Sequence, residues 1–145
     1  MAEFEVRVAE TEREREDAFA VRNVVFVEEQ GVDEELEYDG RDHAAVHFIA
    51  YDGDEPIGAA RLREPADDVG KVERVAVLEP CRGEGVGRAL MATLEERAAT
   101  LGFSALKLHS QTRAAGFYRD LGYERRGEEF EEAGIPHVEM RKPVN

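Results

Sequence analysis

The stretch Arg74 to Met91, RVAVLEPCRGEGVGRALM, constrains this chain more than any other. It reads as a strand that runs into a glycine loop, with a helix starting at once. The loop is Arg82-Gly83-Glu84-Gly85-Val86-Gly87, and Arg88 follows it. Glycines let successive backbone N–H groups turn toward one concavity without a Cβ in the way. The next helix adds its unpaired first-turn amides and the positive end of its dipole. With Arg82 and Arg88 flanking the nest, the site suits an anionic ligand, most naturally a pyrophosphate. A Walker loop would end in Gly-Lys-Ser/Thr, and Gly87-Arg88-Ala89 lacks both lysine and hydroxyl. A dinucleotide fingerprint needs G-x-G-x-x-G and an acid after the next strand. Here the spacing is G-x-G-x-G, and the strand Ala105 to Leu108 leads into His109. A purely structural glycine turn is the remaining alternative.

The rest of the chain supplies a layered context for that loop. Phe4 to Val8 alternates as a strand. Thr11 to about Glu29 reads as a helix opened by a Thr11–Glu14 capping box, and an acidic loop follows Gly31. Ala44 to Tyr51 and Pro56 to Arg63 form a hairpin around Asp52-Gly53-Asp54. Val72 to Leu78 is a further strand whose alternation fails to separate polar from apolar residues. Val86 to Thr100 is a helix with a stripe at Val86, Leu90, Leu94, Ala98 and Leu101. Arg113 to Leu121 is a short helix, and Tyr123 to Lys142 holds two strands around a loop at Glu131 to Pro136. The order β-α-β-β-β-α-β-α-β-β predicts an α+β, mixed three-layer domain over residues 1–145, not a regularly alternating doubly wound one.

Composition narrows the chemistry. The chain has 145 residues and 42% hydrophobic content, enough for one core that buries roughly 70% of the unfolded surface. The formal net charge of −14 opposes duplex nucleic acid, whose binding rests on neutralising phosphates. It also strains the compact state by self-repulsion, which points to adaptation to a salt-rich solvent, with a merely acidic mesophilic protein as the alternative. There is no run of 18 apolar residues and no signal-peptide pattern at the start, so a soluble cytoplasmic domain is expected. One cysteine, Cys81, excludes an internal disulfide, and four histidines without a helical H-x-x-x-H pair predict no metal site. Monomer and homodimer both remain open.

The motif R-x-x-G-x-G, as Arg82, Gly85 and Gly87, resembles the coenzyme A pyrophosphate signature of the GNAT N-acetyltransferase superfamily. Gln111 to Tyr123, QTRAAGFYRDLGY, is similar to that superfamily's tyrosine helix, with Gln111 in place of the usual asparagine. VRNVVFVEEQGVD, HFIA, PIGAARLR and GEEFEEAGIPHVEM further resemble its ElaA-like branch. The likeness implies acetyl-CoA as co-substrate, a primary amine of a small molecule or peptide as acceptor, and a sheet splayed between its fourth and fifth strands. It places the backbone of Val75, Ala76 and Val77 beside the pantetheine arm, and the nest of Arg82, Gly83, Glu84, Gly85, Val86, Gly87 and Arg88, with Gln111, around the rest of the cofactor.

Tyr118 becomes the candidate general acid for the departing thiolate, with core packing beside Phe117 as its alternative. Glu73 becomes the candidate general base, with an ion pair to Lys71 or other neighbours as its alternative. His109 and His137 are its rivals. The acceptor pocket is expected to draw on Arg22, Phe26, Gln30, His109 and His137. Cys81 has no base near it in sequence, which favours direct transfer over an acetyl-cysteine route. Two other readings stand beside this one: a coenzyme A-binding sensor or partner-binding domain without chemistry, and transfer of a longer acyl chain, for which Ala59 and Ala60 would leave room.

Overall fold

The computed structural model describes residues 4–66 and 68–144. Seven strands form one sheet: β1 (Glu5–Val8), β2 (Val46–Asp52), β3 (Glu55–Ala66), β4 (Val69–Val77), β5 (Ala105–Gln111), β6 (Glu124–Glu132) and β7 (Ile135–Pro143). Their order is β1-β2-β3-β4-β5-β7-β6. Every neighbouring pair is antiparallel except β4–β5, which is parallel. The helices are α1 (Glu12–Arg22), α2 (Glu34–Glu37), α3 (Val86–Thr100) and α4 (Ala115–Asp120). Ala18 and Val21 of α1 pack on Ile49, Tyr51, Ala59 and Ala76 on one face of the sheet. Leu90, Met91, Leu94 and Ala98 of α3 pack with Phe48, Leu62, Val72, Leu106 and Leu108 on the other. This is the expected three-layer α+β arrangement.

Local chemistry explains the elements and two departures from expectation. The capping box at Thr11 is complete: Glu14 N donates to Thr11 Oγ1 at 3.1 Å, and Thr11 N donates to Glu14 Oε1 at 3.1 Å. The helix does not continue in α form to Glu29. Beyond Arg22 it widens into a π-helix over Asn23–Glu29, closed by Gln30 N donating to Val25 O. Three β-branched valines, Val24, Val25 and Val27, lie in that stretch, where crowding at χ1 weakens the α spacing. The acidic loop after Gly31 is also not all loop. Asp33 caps the single turn α2 by accepting from Glu35 N at 2.8 Å.

Strand β4 carries the feature that shapes the site. Its register against β3 slips between Ala59, which faces Ala76, and Arg61, which faces Glu73. Arg74 lies at this bulge with φ of +58°, a left-handed conformation that costs a non-glycine residue roughly 1–2 kcal/mol. The extra residue reverses the faces. Val72 packs with the α3 side, yet Ala76, four residues on, packs with the α1 side. Val75 and Val77 instead join Val72. The strand's muddled alternation is therefore two regular alternations joined by a bulge. Pairing of β4 with β5 stops at Val72 opposite Leu108, while β5 continues along β7 to Gln111 opposite His137. The sheet opens from that point.

Candidate active site

The opening is a cleft of about 730 Å³, lined by the second half of β4, the end of β5, the π-helical turn, Tyr118 of α4 and the β6–β7 tip. Leu78 N donates to Ile57 O at 2.9 Å, which marks that pair as hydrogen bonded across β3 and β4. Antiparallel pairs alternate, so Ala76 also spends its backbone groups on β3. The amides of Val75 and Val77 consequently point at the opened edge. Arg82 supports this reading, because its Nε donates to Val77 O at 2.9 Å from that side.

The glycine loop follows directly. Gly85, with φ of +91°, is the N-cap of α3 and supplies no side-chain cap. The first intrahelical bond runs from Ala89 N to Gly85 O, which leaves the amides of Val86, Gly87 and Arg88 for another acceptor. Val86 contributes only its amide, since its side chain is buried in the core. Gly87 serves packing: a Cβ there would meet Phe117 Cζ at 3.2 Å. Gly83 and Glu84 are exposed in the loop. Arg88 is exposed and has no ion pair among the described residues, whereas Arg82 is held by Glu29 through two contacts of 2.7 Å. An uncapped helix start beside an unpaired strand edge fits the diphosphate and pantetheine arm of coenzyme A. Gln111, at the end of β5, donates from Nε2 to Gln30 Oε1 at 2.8 Å and so joins the two walls of the cleft.

Tyr118 is buried and reaches the cleft while packing edge-on against Phe117 and Tyr123. Burial pushes its phenol well above the usual value. Packing and cleft position thus coexist in one side chain. Cys81 sits among Glu84, Asp52 and Glu55, and burial together with these acids pushes its thiol up, which disfavours a nucleophilic thiolate. Ala59 and Ala60 are both fully buried, one under each helix layer, so they allow close packing rather than room for a longer acyl chain.

Two sequence expectations on the acceptor side are overturned. Glu73 is not free to accept a proton. Arg61, Arg63 and Lys71 surround its carboxylate, with Arg61 Nη2 at 2.8 Å, and despite a large desolvation effect these cations hold it at about 2. Arg22 is not a substrate contact. It is fully buried, with Nε donating to Glu37 Oε2 at 2.8 Å and Nη1 to Asp42 Oδ1 at 2.8 Å. Arg61, also fully buried, joins Asp39, Asp42 and Glu73 to the same network. Phe26 and Gln30 do line the cleft, brought there by the π-helical turns.

His109 and His137 line it too, on neighbouring strands. His137 Nδ1 lies 2.7 Å from Ile135 O and donates to it. His109 Nδ1 lies 2.9 Å from Glu132 Oε1, and Phe130 packs edge-on against the His109 ring. Glu132 is the residue that sequence reasoning missed. It sits 23 positions from His109, at the tip of a hairpin whose register no local motif reveals. The His109 contact holds its carboxyl below the ordinary range.

Comparison with known proteins agrees with this geometry. Residues 10–144 match the acetyltransferase (GNAT) domain family. The chain is 45% identical over 136 residues to the uncharacterised N-acetyltransferase YjcF of Bacillus subtilis, covering 93% of this chain and 96% of that one. It is 35% identical to ElaA of Escherichia coli, over 86% of this chain and 84% of that protein. Among solved structures, an acyl-CoA N-acyltransferase from Pseudomonas aeruginosa superposes with a TM-score of 0.84 at 26% identity, over 97% and 98% of the two chains. The ElaA crystal structure gives 0.83 at 28% identity, over 98% and 99%. The chain is an acyltransferase of the GNAT family, with ElaA among its relatives.

Proposed function

We propose that this enzyme moves an acetyl group directly from acetyl-CoA to a primary amine of a small molecule or peptide. The observation that carries the reading is the opened β4 edge, with the Val75 and Val77 amides, running into the uncapped start of α3. Acetyl-CoA supplies an activated acetyl group on a thioester. The amides of Val86, Gly87 and Arg88, with the Arg88 side chain, hold its phosphates against an acidic surround. A β4 amide donates to the thioester oxygen as negative charge develops there, and a preorganised donor of this kind is worth about 3 kcal/mol of barrier. Tyr118, protonated across the working range, donates its phenolic proton toward the leaving sulfur. Attack needs the amine neutral. His109 accepts the ammonium proton at Nε2, because Glu132 holds its Nδ1–H and fixes the tautomer. His137 remains beside it as a wall of the acceptor pocket, with Phe26 and Gln30 opposite. The charge balance of the chain suits a salt-rich solvent.

Calorimetric titration with acetyl-CoA, followed by thiol release across a panel of amines, tests the reading. Binding together with amine-dependent thiol release is the expected result, and binding without release for any amine would mark a sensor. Comparing pH–rate profiles of His109→Gln and His137→Gln then assigns the base. Loss of the acidic limb in the first variant alone is expected.

A further inference from the structure

We infer that Glu37 is a positioning residue for the transfer step: it clamps Arg74, and through it the β4 bulge that aims the neighbouring Val75 amide. This inference rests on the acetyl-transfer reading above. Arg74 occupies a left-handed conformation in mid-strand, so its backbone needs an external hold to remain there. The hold comes chiefly from a single turn, α2, far away in sequence, with a longer contact of 3.4 Å from Arg74 Nη2 to Asp39 Oδ2 just beyond it. Arg74 Nη2 donates to Leu36 O at 3.0 Å and to Glu37 O at 3.1 Å, the last carbonyls of that turn. Arg74 Nε lies 2.9 Å from Glu37 Oε1, an ion-pair contact rather than an aligned hydrogen bond. Glu37 is almost wholly buried, and its other oxygen is fixed by Arg22 Nε at 2.8 Å, at the end of α1.

The carboxylate therefore ties three things together: the end of α1, the turn α2 that lines the acceptor side, and the bulge one residue before Val75. A bulge residue in an unfavoured conformation has an extended alternative, and regular pairing would restore the alternation that the bulge reverses. Without the clamp the Val75 amide loses its fixed direction, while the α3 nest that holds the phosphates is untouched. The effect should fall on polarisation of the thioester and on turnover, and not on acetyl-CoA affinity. Asp42 provides the contrast, because it pairs with Arg22 and Arg61 in the same buried network but makes no contact with Arg74.

The test uses acetyl-CoA labelled with carbon-13 at the thioester carbonyl, bound to the full chain and read by isotope-edited infrared spectroscopy. Wild-type protein should lower the carbonyl stretching frequency on binding. Glu37→Gln should lose most of that shift, retain a calorimetric Kd within about threefold, and turn over an accepted amine at least tenfold more slowly. Arg74→Ala, which removes the guanidinium but keeps the Cβ penalty at a positive φ, should behave likewise and decides the matter if Glu37→Gln does not fold. Asp42→Asn should lower the melting temperature yet keep the full carbonyl shift. An unchanged shift in Glu37→Gln or Arg74→Ala overturns the clamp alone. An equal loss in Asp42→Asn overturns it as well, since general loosening would then suffice. Failure of the wild-type protein to bind acetyl-CoA overturns the acetyl-transfer reading and the clamp together.

Discussion

Tyr118 and Glu73 both flank the cleft, and their surroundings push them in opposite directions: burial raises the phenol, while three cations lower the carboxyl. Tyr118 is buried, which pushes its phenol well above the usual value, so in the proposed reaction it is suited to donate a proton and not to accept one. Tyr118→Phe keeps the ring packing against Phe117 and Tyr123 and removes the proton. Thiol release should fall by about 100-fold or more, with acetyl-CoA affinity by calorimetry changed less than threefold. Glu73 instead anchors cations. Its pKa in the fold, about 2, lies below the unfolded value near 4.5. Its pairing thus stabilises the fold fully above pH 4.5, and that stability is lost as the pH falls through about 2. Glu73→Gln should cost about 3 kcal/mol at pH 7, because Arg61 and Arg63 lose a buried partner. It should also flatten the acid limb of a denaturation series between pH 4.5 and 2. Turnover per folded molecule should change less than threefold, whereas loss of a general base would cost about 100-fold or more.

At the scale of elements, α3 and the loop before it make the firmest prediction. Gly85 caps the helix with a positive φ that an L side chain adopts only under strain, and its position orients three unpaired amides. Gly85→Ala should weaken acetyl-CoA binding about tenfold, equivalent to about 1.4 kcal/mol, while the melting temperature falls by a few degrees. Calorimetry with a parallel thermal melt checks both. This element was legible from sequence, boundaries included, because helix stripe, glycine loop and preceding strand are all local patterns. The π-helical turn was not. Its residues carry a helical pattern, and a one-residue widening leaves no mark in apolar spacing. The bulge left a weak mark, the failed alternation at Arg74, but only the register against β3 reveals its sense. Glu37 and Glu132 were illegible for a different reason. Each looks like one more acid in an acidic chain, and what distinguishes it is a partner 37 residues away for Glu37 and 23 for Glu132. Long-range pairing decides which of 33 acids are buried or aligned, and nothing local encodes it.

For the whole molecule the question is how a chain of net charge −14 holds both its fold and a polyanionic substrate. The two demands scale differently with salt. The inner network is centred on the buried Arg22, Arg61 and Glu37 with the half-buried Asp42 and Glu73 around them, and its contacts of 2.6 to 2.9 Å lie inside any screening length. Exposed acids, such as Glu34 and Glu35 or Glu128 and Glu129, repel one another over longer distances, and those distances salt removes. Adding salt should therefore relieve repulsion without dissolving the core pairs. Between dilute buffer and 1 M potassium chloride, where the screening length is about 3 Å, a gain of about 2 kcal/mol would raise the melting temperature by roughly 6 °C. The rise should saturate as screening becomes complete, which separates it from a surface-exclusion effect that grows steadily with concentration. Acetyl-CoA affinity offers a second reading of the same field. Salt weakens the attraction between Arg88 and phosphate, but it also weakens repulsion from the surrounding acids, and on this surface the acids outnumber the arginines. The dissociation constant should stay level or fall as salt rises to about 0.5 M, opposite in sign to a basic phosphate-binding site. A melting temperature independent of salt, or affinity that drops steadily with it, would show that the acidic surface plays no part in either balance.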